Sequence, residues 1–146
     1  MTVTGVKLVT HGTVRNMTST NMPKAIGYTR VSTVGQVDDG VSLEMQEDKI
    51  KAWAEFHDFD LISIFSDEGV SGGNENRRGL NAALDAVKEH QCALVAYSMS
   101  RISRSTLHML TLAKEFEKAE ADLVSLQENI DTTSPTGKMV FRIMSV

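Results

Sequence analysis

Cysteine is almost absent from the 146-residue sequence: Cys92 is the single one, so no disulfide can form within the chain. This usage is typical of a reducing compartment, and we expect a cytoplasmic protein. The four histidines and Cys92 show no spacing typical of zinc ligands, which argues against a zinc site. No apolar run approaches the roughly 20 residues of a membrane-spanning helix. The first 24 residues also lack the apolar stretch of a secretory signal.

Basic residues are outnumbered, with 15 Lys and Arg against 19 Asp and Glu. This balance argues against a general nucleic-acid coat protein, but the charges are unevenly distributed. Residues 38–60 carry eight acidic and two basic residues, whereas residues 1–37 carry four basic residues and no acid. Between Cys92 and Leu112 the only charged side chains, histidine apart, are Arg101 and Arg104. Arginines placed in acid-free segments indicate a local anion site.

Length and composition indicate one globular domain with its own core, because 41% of the residues are hydrophobic and 23% are charged. Residues 1–23 show no convincing period, and we interpret them as an irregular or disordered leader. The pattern becomes regular from Lys24, so the domain is expected to span residues 24–146.

Strand and helix patterns alternate along this domain. Ser42 is placed to cap a helix that begins at Leu43 and ends near His57, with Ile50 and Trp53 on its core face. Leu107 is a core candidate in a later helix, whereas the segment from Asn129 to Gly137 resembles a turn-rich loop. The predicted strands are Ala25–Tyr28, Leu61–Phe65, Cys92–Tyr97 and Leu123–Leu126, and the other predicted helices lie around Leu80–Val87, from Ser105 to about Ala119, and from Met139 onward.

Alternation of this kind predicts an α/β fold, with a mainly parallel central sheet of four to five strands and helices on both faces. Ligands bind such sheets beyond the carboxyl ends of the strands. Three predicted loops, Thr29–Val41, Ser66–Gly79 and Ser98–Arg104, follow strands and are expected to converge at that edge.

Arginine suits the phosphate group, because its planar donors match phosphate oxygens and it stays charged near neutral pH. Arg101 and Arg104 are three residues apart and precede the predicted helix that Ser105 caps. A serine hydroxyl is a weak nucleophile, and guanidinium groups can stabilise the charge that develops when it attacks phosphorus. The spacing therefore favours phosphate chemistry, with a nucleotide- or phosphate-binding α/β module close behind.

Ordinary structural interpretations compete with each of these motifs. A single Ser-Arg pair is more often surface than catalytic, and Asp67-Glu68 in a glycine-rich segment is most often a solvated turn. Cys92 within an apolar strand is most simply a small core residue. Trp53 is expected in the core rather than in a base-stacking platform.

Ordered motifs from about Lys24 onward resemble the serine recombinases, the resolvase and invertase family. Each motif alone is weak, but their order over roughly 120 residues is specific. The matching segments are Tyr28-x-Arg30-Val-Ser32-Thr-x-x-Gln36, Ser42-Leu43-x-x-Gln46, Phe65-x-Asp67-x-x-Val70-Ser71-Gly72, Arg77-x-Gly79-Leu80, Ser100-Arg101-x-x-Arg104-Ser105 and Gly137-Lys138-Met139-Val140.

The resemblance implies a resolvase-like catalytic domain in which Ser32 attacks a DNA phosphodiester, giving a 5′-phosphoserine and a free 3′-OH. Neither metal nor ATP nor another cofactor is implied. The arginines would bind and neutralise the scissile phosphate, and Asp67 would orient an arginine or assist proton transfer. The implied catalytic residues are Ser32, Arg30, Arg101, Arg104, Asp67 and Arg77, and the implied substrate-binding residues are Gln36, Gln46, Tyr28 and Ser71.

The resemblance also implies partners: double-stranded DNA, a homodimer, and a tetramer in the synaptic complex, encoded by a bacterium, phage or mobile element. The sequence departs from the family pattern at Ser100, where many family members have aspartate. By the same pattern the chain is expected to end within a long dimerisation helix. Two alternatives stay open: a catalytically impaired dimerisation or regulatory fragment, and a binder of small phosphate molecules.

Overall fold

A computed structural model describes residues 22–31, 40–68, 77–103 and 105–144. Strands and helices alternate through this part of the chain, as the sequence pattern predicts. The elements are β1 (Lys24–Val31), α1 (Leu43–Phe56), β2 (Asp60–Glu68), α2 (Arg78–His90), β3 (Ala93–Ala96), α3 (Met99–Ile102), α4 (Thr106–Lys118), β4 (Asp122–Ser125), β5 (Ile130–Asp131) and α5 (Pro135–Met144).

The described strands form one sheet with the order β2-β1-β3-β4-β5. The first three pairings are parallel, and only the short β5 runs antiparallel to β4. Helical crossovers join the parallel strands, as this topology requires. The predicted fold class, a mainly parallel α/β sheet, is therefore confirmed.

Hydrophobic side chains form a cluster on each face of the sheet. The larger cluster lies where α2, α4 and α5 pack, and it includes Leu84, Phe116 and Phe141. The smaller cluster lies under α1 around Ile50, with Trp53 partly buried against it. The sheet is thus covered by helices on both faces, which leaves its carboxyl-terminal edge as the place for polar residues.

Local sequence explains where the main helices begin. The Ser42 hydroxyl accepts a hydrogen bond from the Met45 amide and caps α1, as predicted. The Ser105 hydroxyl caps α4 in the same way, through the His108 amide. In α2 the buried residues follow the predicted helical spacing; they are Leu80, Ala83, Leu84 and Val87.

Several boundaries differ from the sequence prediction. Strands β1 and β2 continue to Val31 and Glu68, so Arg30 and Asp67 lie in strands rather than in loops. The segment predicted as a loop at 129–137 contains β5 and the start of α5. Two residues decide that segment: Ile130 pairs with Ser125, and Pro135 supplies the fixed φ that suits a first helical turn.

Two further predictions were wrong. Leu107 is 74% exposed, because it lies on the outer side of α4 in the first turn. The short helix α3 lies within the segment predicted as the third loop. Within the described ranges, no helix is long and apolar enough to cross a membrane.

Candidate active site

Six of the ten predicted site residues lie in the described part of the chain: Tyr28, Arg30, Gln46, Asp67, Arg77 and Arg101. These six come together around the carboxyl ends of β1, β2 and β3, the edge at which parallel sheets bind ligands. The other four lie outside the described residues: Ser32, Gln36, Ser71 and Arg104.

Asp67, at the end of β2, holds the start of α2. One carboxylate oxygen accepts the Gly79 amide at 2.8 Å, and the other accepts the Leu80 amide at 3.0 Å. The first amides of a helix have no partner within the helix, and Arg77 at the N-cap position makes no side-chain cap bond. The Asp67 carboxylate, which lies outside the helix in the sequence, therefore caps α2, and its negative charge is favourable at the positive end of the helix dipole.

Tyr28 completes this arrangement from β1. Its hydroxyl donates to the second Asp67 oxygen at 2.7 Å, and the tyrosine is completely buried. Burial and then the hydrogen bond to Asp67 raise the pKa of Tyr28 far above its usual value, so the phenol stays protonated and acts as a donor. The Asp67 carboxylate thus accepts three hydrogen bonds, from the Tyr28 hydroxyl and from the Gly79 and Leu80 amides. These contacts place Asp67 as a structural cap and Tyr28 as its support.

Gln46 on α1 fixes the backbone of Arg30. The Gln46 side chain accepts the Arg30 amide at 3.2 Å and donates to the Arg30 carbonyl at 3.1 Å. Gln46 is fully buried, and its amide makes this paired contact in the way a neighbouring strand does. The described contacts thus support the end of β1.

Arg30 and Arg77 converge on α3, the four-residue helix that carries Arg101. Arg30 donates from Nε to the Arg101 carbonyl at 3.2 Å and from Nη2 to the Ser100 carbonyl at 2.9 Å. Nη1 of Arg77 donates to the Ile102 carbonyl. Carbonyls at the end of a helix are unsatisfied acceptors at the negative end of its dipole, and cations stabilise them. Two guanidinium groups therefore hold the carboxyl end of α3.

Arg101 itself is only 1% exposed. Among the described residues it is the largest side chain that is fully buried. Its guanidinium carbon lies 5.9 Å from the centre of the Tyr97 ring, a cation–π distance. The resemblance implies that Arg101 binds the scissile phosphate, which stays a prediction, and the structure places its side chain within the domain. Three predicted arginines are thus gathered around α3.

The amino-terminal end of α3 involves residues that the sequence analysis missed. Glu128, in the turn after β4, accepts the Met99 amide with its two oxygens at 3.3 and 3.2 Å. The Ser125 hydroxyl donates to the same carboxylate. Ser98 occupies the N-cap position without capping, because its hydroxyl pairs with that of Ser100 at 2.9 Å. No sequence motif joins residue 128 to residue 99, so only the sheet topology reveals this contact.

The chain is similar in sequence to proteins of a known family. The sequence profile of the family described as "Resolvase, N terminal domain" matches residues 25–146. The transposon Tn917 resolvase of Enterococcus faecalis is 32% identical over 119 residues, covering 82% of this chain and 58% of that protein. The DNA-invertase hin of Salmonella typhimurium is 32% identical over 120 residues, covering 82% of this chain and 56% of that protein. The chain therefore spans somewhat over half the length of these relatives.

Solved structures give the same result. The N-terminal catalytic domain of TP901-1 integrase superposes with a TM-score of 0.70 at 31% identity, covering 84% of this chain and 91% of that one. A resolvase-family site-specific recombinase from Streptococcus pneumoniae gives 0.68 at 26% identity, covering 84% and 85%. Sequence profile, relatives and fold agree, and the chain belongs to the resolvase family of serine recombinases.

Proposed function

We propose that this chain is the catalytic part of a site-specific recombinase that cuts and rejoins double-stranded DNA through Ser32. Residues 24–146 are the proposed catalytic domain, after a leader of residues 1–23, in a cytoplasmic protein. The family assignment and the convergence of Arg30, Arg77 and Arg101 support this function. The convergence is the observation that carries it, because it concentrates positive charge at the sheet edge where parallel α/β domains bind their ligands, and arginine suits phosphate.

The proposed cleavage is a transesterification. The Ser32 oxygen forms a bond to the scissile phosphorus, and the bond from phosphorus to the 3′ oxygen breaks. The serine loses its proton, and the leaving 3′ oxygen gains one to become a hydroxyl. Rejoining is the reverse attack by a 3′-OH on the phosphoserine. A serine phosphate ester takes the place of a deoxyribose phosphate ester, so the energy of the bond is conserved and the step needs no ATP.

The arginines are proposed to neutralise the pentacovalent phosphorane. A preorganised donor at such a centre contributes on the order of 3 kcal/mol to the transition state. Arg30 and Arg77 already lie at the edge where the phosphate would bind, and Arg104 is proposed to join them. Arg101 is buried, so its proposed part is to supply positive charge to the phosphate site from within the domain. Gln36 and Ser71 are proposed as further substrate contacts.

The functional unit is proposed to be a homodimer that pairs into a tetramer. Helix α5 exposes three large apolar side chains, Met139, Val140 and Ile143, whereas Phe141 is buried. An exposed apolar stripe on a terminal helix is typical of a surface that a second copy covers. Two paired dimers supply four serines, enough to cut both strands of two duplexes.

The test uses the full-length recombinase that contains this chain and a library of duplex DNA with a randomised segment. After denaturation, the covalent protein–DNA adduct is isolated, sequenced and digested for mass spectrometry. We expect a phosphoserine at Ser32 and no adduct from Ser32→Ala. The matched control is Thr33→Ala, the neighbouring hydroxyl, which keeps the adduct.

Three outcomes would overturn the proposal. An adduct that persists in Ser32→Ala assigns the nucleophile to another residue. A folded, DNA-binding wild-type protein without adduct favours a dimerisation or regulatory module. Tight binding of free nucleotide without DNA would favour the small-molecule phosphate binder.

A further inference from the structure

We infer that Glu128 is a positioning residue for α3, the helical turn that carries Arg101. The expected effect of Glu128 on DNA cleavage rests on the proposed function, whereas its effect on the position of α3 does not. The helix has four residues, so its internal hydrogen bonds, such as that from the Ser103 amide to the Met99 carbonyl, are too few to keep it folded by itself. Contacts from outside must therefore fix its place. Its two ends are held by different parts of the fold.

The carboxyl end is held by the guanidinium groups of Arg30 and Arg77, which bind the last carbonyls of the turn. The amino end is held by Glu128, whose carboxylate accepts the Met99 amide. A negative charge at the amino end and positive charges at the carboxyl end both match the helix dipole. The opposing contacts fix the turn along its own axis.

Glu128 is itself anchored to the sheet. Ser125, the last residue of β4, is completely buried and donates its hydroxyl to the Glu128 carboxylate. Strand β4 pairs with β3, which leads directly into α3. The Glu128 carboxylate thus connects α3 to β4, although α3 follows β3 in the sequence.

Ser98 cannot substitute for Glu128 without losing another contact. It occupies the N-cap position, where a serine hydroxyl commonly accepts a backbone amide. Here its hydroxyl pairs with the Ser100 hydroxyl. Removal of the Glu128 carboxylate therefore leaves the Met99 amide without its acceptor, and α3 is free to shift relative to Arg30.

The first measurement is independent of catalysis. In the full-length recombinase, hydrogen exchange at the Met99 amide is followed by mass spectrometry with residue-level fragmentation. We expect exchange to rise about tenfold in Glu128→Ala, because a hydrogen bond to a charged group is lost. Glu128→Gln keeps an acceptor oxygen and should restore most of the protection. The matched control is Gln127→Ala, the adjacent exposed side chain, which should exchange like the wild type.

The second measurement is the rate of adduct formation on a duplex recovered from the randomised library. At saturating DNA we expect Glu128→Ala to react about tenfold more slowly. Its Kd for DNA should stay within about twofold of that of Gln127→Ala. Glu128→Gln should recover most of the rate, which loss of folding would not allow.

The two proposals fail separately. Exchange at Met99 in Glu128→Ala that matches Gln127→Ala overturns the role of Glu128, whatever the activity. An unchanged adduct rate with faster exchange also overturns it, because the turn would then be held without consequence for cleavage. Absence of adduct from the wild type overturns the proposed function, while the exchange measurement still tests Glu128.

Discussion

Helices α2 and α5 have similar amphipathic sequences but different surroundings. Helix α2 buries its apolar side chains, including Leu84 and Val87, against the sheet. Helix α5 buries Phe141 and leaves Met139 and Ile143 exposed. An amphipathic pattern therefore indicates that a helix has an apolar face, but it does not indicate whether that face packs against the same chain or against another one. For α5 the proposed cover is a second copy.

The first turns of the two helices share one feature. Each contains a glycine close to a carbonyl of a preceding strand. A Cβ at Gly79 would lie 2.5 Å from the Ser66 oxygen, and one at Gly137 would lie 1.6 Å from the Asp131 oxygen. The two helices thus share a close backbone approach in the first turn and differ in the faces they cover.

The largest expected effect comes from removing matched apolar side chains. Leu84→Ala should lower the free energy of unfolding by about 2–4 kcal/mol, because it leaves a cavity under α2. Ile143→Ala should change it by less than about 0.5 kcal/mol, because Ile143 is 68% exposed. Urea unfolding, at a concentration where sedimentation shows a monomer, measures both. Equal losses would mean that α5 is packed as firmly as α2.

The next effect comes from the two glycines. Gly79→Ala should lower the free energy of unfolding by about 1–3 kcal/mol, because α2 cannot move away from Ser66 without losing its core contacts. Gly137→Ala should cost at least as much, because its Cβ would meet the Asp131 carbonyl more closely and an outward shift of α5 would expose Phe141. Urea unfolding of the two variants under the same conditions tests this order. The reverse order would contradict the comparison.

A smaller effect is expected from Tyr28→Phe, which removes one support of the α2 cap. Loss of the bond to Asp67 should lower the free energy of unfolding by about 1 kcal/mol at pH 7. Burial raises the pKa of Tyr28, so above about pH 10 the unfolded chain loses this proton while the folded chain keeps it. Wild-type stability should therefore fall as the pH rises past that value.

In Tyr28→Phe this part of the alkaline loss should be missing. Urea unfolding of both proteins at pH 7, 9 and 10.5 supplies the measurement. The control is Tyr97→Phe, which removes the hydroxyl of the other tyrosine and leaves the bond between Tyr28 and Asp67 in place. Parallel pH profiles for wild type and Tyr28→Phe would show that Tyr28 does not set the alkaline limit.

The smallest effect concerns the ion pair between α4 and α5. Arg142 donates to Glu117 at 2.9 Å, and the two side chains are 69% and 68% exposed. Solvent and salt screen such a pair, so a double-mutant cycle with Arg142→Ala and Glu117→Ala should give a coupling below about 1 kcal/mol. A larger coupling would mean that this pair, rather than Phe141, holds α5 on the domain.

Periodicity and capping predicted most of the scaffold. The buried strand at Ala93–Ala96, the cap at Ser42 and the core face of α2 follow from local patterns, and the structure confirms them. Boundaries near the site were less accurate, because Arg30 and Asp67 are polar residues in strands and polar residues suggest a loop. Tertiary hydrogen bonds to Gln46 and to α2 stabilise them there.

The sequence by itself determined the fold class and the main helices, because these depend on spacing along the chain, and its resemblance to a family predicted a set of site residues. The tertiary structure decided which groups meet: Asp67 with the start of α2, Arg30 and Arg77 with the end of α3, and Glu128 with its beginning. Each of these contacts joins residues far apart in sequence whose partners are backbone amides or carbonyls. Every residue has such groups, so no side-chain pattern distinguishes the ones that the folded sheet brings together.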